Sequence, residues 1–230
     1  MFFNHNYAEP GPGINPDAPE KTGFRRFFEI LQLECVTIFK LNLLFLAGSL
    51  LVVTIPPALY AMNMVIRKMI LDEPVLCFYD YRKAFREGWK RSYAAFFLTA
   101  GPLALSGYGA SFYLGRAAGN PLMFVPFVFC STIFLAAMLA SSYFYGILST
   151  GRGIGESLRL SLLLGLGRPA RALLGALCFY GMLLAALLAF PASAAYLLLI
   201  GFSLPNLLGN FFIRTTLRQY CPPLEEEEEP

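Results

Sequence analysis

From residue 122 to residue 148 the chain runs without one charged side chain, longer than the ~20 residues an α-helix needs to cross a ~30 Å hydrocarbon core. Runs of the same kind cover residues 93–114, 172–190 and 193–213. A soluble domain has no place for four helices that are apolar all round. The fold class expected is therefore all-α, a polytopic transmembrane helical bundle. Composition agrees, since 57% of the 230 residues are hydrophobic and 14% charged, against about 45–50% and ~25% in soluble domains.

Residues 36–70 admit two readings. One kinked helix over 41–66 gives five spans with the N-terminus outside. Two short helices, 36–55 and 57–70, meeting at Pro56-Pro57, give six with both termini inside. Lys and Arg gather on the cytoplasmic side of short loops. Six spans leave only Arg116 of the 18 Lys+Arg outside, whereas five would add Lys21, Arg25, Arg26 and Lys40. About six spans are expected, as three helical hairpins with cytoplasmic amphipathic helices, and five is the alternative. The outer turns carry Pro56 and Pro57, Pro121, and Pro191, a weak internal repeat. Residues 1–22, rich in Pro and Gly, read as a disordered cytoplasmic leader, 23–220 as a single transmembrane domain, and 221–230 as an acidic disordered tail.

The chemistry-bearing residues are sparse. His5 is the single histidine, and Cys35, Cys77, Cys130, Cys178 and Cys221 form no close-spaced pair, so neither a metal site nor a disulfide scaffold is expected. No phosphate-binding GxxxxGK[ST] motif occurs, and GRGIG at 151–155 follows no strand. With six spans no Asp, Glu, Lys or Arg falls near mid-membrane, which argues against ion-coupled transport. No enzyme activity, cofactor or nucleic-acid partner is expected.

Three patterns remain. Phe78, Tyr81, Phe85, Trp89 and Tyr93 share one face of a helix, with Asp80, Arg82, Lys83, Arg86, Glu87, Lys90 and Arg91 opposite. This predicts an interfacial helix against membrane lipid. Phe78, Tyr81, Phe85, Arg86 and Trp89 are its candidate partner-binding residues. Similar, less polar stretches lie at 24–39 and 154–164. Small residues four apart, Gly107, Ser111 and Gly115, then Gly181 and Ala185, predict helix-packing seams. Finally, Asn42, Asn63, Asn206 and Asn210 are amides at membrane depth, where unpartnered polar groups are costly. They read as interhelical clamps or, with the serines at 141 and 142, as a polar path for a substrate.

Two segments carry a family resemblance. NLLFLAGSLLVVTIPPALYAM at 42–62 and DYRKAFREGWKRS at 80–92 resemble the opening segment and the Asp-aromatic signature of the YesL-like family, small bacterial integral membrane proteins of unknown function. The chain has Leu51 and Pro56 where that family has proline and glycine. The resemblance implies the bacterial cytoplasmic membrane and permease subunits of carbohydrate importers of the ATP-binding-cassette (ABC) type as partners. It supplies no catalytic residue. The expectation is a multi-pass, non-enzymatic accessory or assembly subunit of such an importer, with both termini cytoplasmic. The alternatives are an autonomous small-molecule facilitator and a lipid-binding structural membrane protein.

Overall fold

Apolar residues three and four apart put Phe27 and Ile30 of helix α1 (Phe24–Leu33) inside while Arg25 stays exposed. The chain then bends by 73° at Glu34 into α2 (Cys35–Gly48). The stripe that reads continuously over 24–39 is thus divided between two helices. The computed structural model describes residues 23–71, 73–117 and 119–220. Among them the secondary structure is entirely helical.

A 3₁₀ turn, Val52–Thr54, leads into α3 (Ile55–Leu71). Pro56 and Pro57 sit in the first turn of α3, where a missing N–H breaks no helical bond. The break between the first two long helices therefore precedes the prolines. Helix α3 is central, burying Ala58, Ala61, Met62, Val65, Ile66, Met69 and Ile70.

Helix α4 (Cys77–Glu87) packs back on α3, and α5 (Trp89–Ala117) follows after Gly88. Periodicity alone would continue one helix through 78–93. The break falls at Gly88, where the ring of Tyr60 lies 2.4 Å from where a Cβ would stand and leaves room for no side chain. After the turn Pro121–Met123, α6 (Phe124–Leu148) runs antiparallel to α5, with Gly109 beside Cys130 and Gly107 beside Phe134. Helix α7 (Ile154–Gly167) packs so closely on α6 that a Cβ on Gly165 would stand 3.0 Å from the backbone of Leu139. Helix α8 (Pro169–Ala176) continues through a π-helical stretch, Leu177–Gly181, into α9 (Met182–Leu188). The last two helices are α10 (Ala194–Leu199) and α11 (Ser203–Tyr220).

Pro121–Leu148 and Pro169–Leu188 are long and apolar enough to cross a membrane, and the bent pair α1–α2 is a third candidate if counted as one span. Only 6% of the apolar window in Pro121–Leu148 is buried within the protein. Phe124, Val125, Val128, Phe129 and Leu135 face outward. So large an apolar surface suits hydrocarbon and not water. The leader (1–22) and the tail (221–230) lie outside the described residues.

Candidate binding cavity

The polar residues of the apolar helices meet around α11. Asn42 of α2 is fully buried. Its Nδ2 donates to the carbonyls of Leu197 at 3.0 Å and Leu198 at 2.8 Å. Its Oδ1 accepts from the backbone N–H groups of Phe202 at 2.9 Å and Ser203 at 3.1 Å. One side chain thereby closes the last carbonyls of α10 and the first N–H groups of α11, groups that a helix break leaves without partners.

Beyond this clamp lies a cavity of ≈ 430 Å³ between α3, α5, α6, α8 with its π-helical continuation, and α11. That is within the range of small-molecule sites, about 300–1,000 Å³. Asn206 and Asn210, one turn apart on α11, face Asn63 of α3. Nδ2 of Asn210 donates to Oδ1 of Asn206 at 2.6 Å and approaches Oδ1 of Asn63 at 3.3 Å. Nδ2 of Asn63 turns back to the carbonyl of Leu59 at 2.9 Å. These bonds leave Nδ2 of Asn206 buried with no partner. Across the cavity the Ser141 and Tyr180 hydroxyls pair at 2.9 Å, and Ser142 donates to the carbonyl of Ala172 at 3.1 Å. The buried Tyr145 hydroxyl approaches Thr99 without a hydrogen bond of normal geometry. The rest of the wall is apolar, including Leu59, Phe96, Leu103 and Phe179. Among the described residues that line it there is no carboxylate, amine, guanidinium or imidazole. The arrangement can hold a neutral molecule by hydrogen bonds and offers it no charged acid or base.

Asn210 also lines a second cavity, of ≈ 220 Å³, with Arg67, Glu73, Thr150, Arg214 and Arg218. Here the basic residues collect. Arg67 donates to the carbonyl of Ser149 at 3.0 Å, and Arg91 donates to those of Leu148, at 3.1 Å, and Arg152. Two guanidinium groups thus cap the carbonyl end of α6, where the helix dipole favours cations. Arg168 reaches the Tyr220 hydroxyl and Arg171 that of Thr215 at the same end of the bundle.

On α4 the aromatic stripe divides. Tyr81 is buried, its hydroxyl 2.7 Å from where a Cβ on Gly48 would stand, and burial pushes that hydroxyl's pKa well above its ordinary value. Tyr81, Phe85, Trp89 and Tyr93 form a ladder with ring centroids 6.1, 5.7 and 5.7 Å apart. Phe78 and Arg86 stand outside it, exposed, and Trp89 is exposed at its rim. Asp80 pairs with Lys68 of α3 at 2.9 Å and fixes α4 in place.

The small residues distribute differently from the seams expected. Gly107 meets the Phe134 ring, but Ser111, Gly115, Gly181 and Ala185 are exposed, and a Cβ on Gly115 or Gly181 would touch nothing within 4 Å. The closest backbone approaches occur at Gly175 against Gly209 and at Gly165 against α6. A four-residue spacing marks one helix face, and lipid covers such a face as readily as another helix does. Sequence reasoning also left Thr99, Tyr145 and Tyr180 out of the site. Their signal is a hydroxyl within an otherwise apolar run, and it is weak because both kinds of residue bond readily to their own helix or snorkel.

Residues 38–110 match the model of DUF624, a family described as proteins of unknown function. The match takes in Asn42 and the α3 and α5 walls of the cavity. No curated protein and no solved structure matches the chain.

Proposed function

We propose that this chain is a non-enzymatic integral membrane protein that binds a small uncharged molecule inside its helical bundle. The observation that carries this reading is the pair of buried, unsatisfied groups, Nδ2 of Asn206 and the Tyr145 hydroxyl, in a cavity without charged lining. Each such group costs about 1–3 kcal/mol, a cost that a bound acceptor would offset. In this proposal six crossings (α2, α3, α5, α6, α8–α9 and α10–α11) put both termini on the cytoplasmic side. Support comes from the gathering of Arg67, Arg91, Arg152, Arg168 and Arg171 at one end of the bundle while Arg116 stands at the other.

Tyr145→Phe provides the test. In protein stripped of lipid by prolonged detergent exchange, the variant is expected to be at least as stable to heat as wild type, because the hydroxyl it loses is unsatisfied. On adding back total lipid extract from the native membrane, wild type gains stability and the variant gains less. Equal gains, or a variant already weakened when stripped, would overturn the reading.

A second reading, an accessory subunit of a carbohydrate importer, is favoured by the exposed Phe78, Arg86 and Trp89 on and beside α4 together with the family resemblance. It predicts that importer permeases co-purify in mild detergent in near-stoichiometric amounts.

A further inference from the structure

Among the described residues that line the asparagine-walled cavity of ≈ 430 Å³, Ala104 alone is exposed. It lies near the middle of α5, about 16 Å beyond Tyr93 at the rise of an α-helix. Tyr93 in turn follows the basic residues Lys90 and Arg91, and Arg91 caps the inner end of α6. Ala104 is therefore the candidate mouth of the cavity, and because α5 runs along α6 with Gly109 beside Cys130 and Gly107 beside Phe134, it lies at the level of an apolar stretch of α6. A molecule reaching the cavity through that mouth comes from the hydrocarbon. The unsatisfied donors Asn206 and Tyr145 lie inward of it, and Asn210 closes the inner wall against the arginine-lined cavity.

Building on the cavity reading above, we infer that the ligand is an uncharged lipid with hydroxyl and carbonyl groups in its head, of the diacylglycerol kind, entering from the bilayer beside Ala104. Its chains leave past Ala104, and Leu103 and Phe179 belong to the apolar part of the cavity wall. An ester carbonyl accepts from Nδ2 of Asn206, and the free hydroxyl pairs with Tyr145. A charged head is rejected because it would enter without a counter-charge, at a cost of several kcal/mol. A free sugar would have to cross the apolar mouth carrying its water.

The test uses the full chain in phosphatidylcholine nanodiscs with a diazirine-tagged dioctanoylglycerol, followed by peptide mapping. Labelling is expected to concentrate on the α5 segment ending at Ala104 and on Phe179. It should fall about tenfold in Ala104→Phe, a substitution at an exposed position that leaves the core untouched. The matching phosphatidic acid probe should leave the site unlabelled. Equal labelling by both probes, indifference to Ala104→Phe, or label spread evenly over Phe124 and Val128 would overturn the inference. If native lipid extract still stabilises wild type more than Tyr145→Phe while these probes fail, the cavity reading stands and the lipid class falls. If the extract shows no difference either, both fall.

Discussion

The Asn42 side chain donates to the carbonyl of Leu198 at 2.8 Å across a separation of 156 residues, and it also holds the three other backbone groups flanking the α10–α11 break. Replacing it by Leu leaves four backbone groups without that partner, at about 1–3 kcal/mol for each that is buried and finds no substitute. Asn42→Leu should lower the thermal midpoint more than any single substitution in the cavity wall, measured by unfolding in detergent.

Gly175 and Gly209 cross where a Cβ on either would stand 2.9 or 3.0 Å from the other's carbonyl oxygen. Backbone atoms cannot swing aside as a side chain can, so Gly209→Ala should destabilise by about 1–3 kcal/mol. Gly181→Ala, with nothing within 4 Å, should be neutral or stabilising by up to about 1 kcal/mol. Chemical unfolding of the two variants side by side gives the comparison.

How much of this was visible in the sequence depends on which force acts. The apolar segments and the proline-marked turns near 121 and 191 follow from apolar length and missing donors, both local properties, but the run 193–213, which reads as one span, is broken between α10 and α11, where Asn42 supplies the partners. Asn63, Asn206 and Asn210 stood out because amides are conspicuous among leucines. What one strand of text does not carry is who faces whom. Tyr60, 28 residues earlier, fills the space that a side chain at Gly88, the end of α4, would need. The amphipathic stripe at 78–93 promised a single surface, yet Tyr81 turned inward while Phe78 stayed out. The cavity needed Tyr145 and Tyr180 from two different helices.

Cys77, at the start of α4, is half-buried, and burial pushes its thiol pKa upward, with Lys40 opposing and Asp80 and Glu34 adding to the rise. A raised pKa means less thiolate at any given pH. In a variant retaining only this cysteine, modification by a neutral maleimide should be slower in the folded protein than in the denatured chain at pH 8. The folded rate profile should rise at higher pH. Coincident profiles would contradict the burial seen at this position.

The exposed rim of α4 and α5 gives the second functional reading its own test. Trp89 meets the Phe85 ring edge-on, and Arg86 is exposed, so Arg86→Ala with Trp89→Ala should leave the protein folded at a cost of about 1–3 kcal/mol in stability. The same pair should abolish co-purification with importer permeases. Retention of the partner by the double variant would remove this face from consideration.

Native mass spectrometry of the protein, gently extracted from its own membrane, shows whether the cavity holds a lipid. Wild type should carry an uncharged adduct of lipid mass, released on collisional activation and lost in Asn206→Leu with Tyr145→Phe. The bare chain mass for wild type, or the same adducts on both proteins, would contradict it.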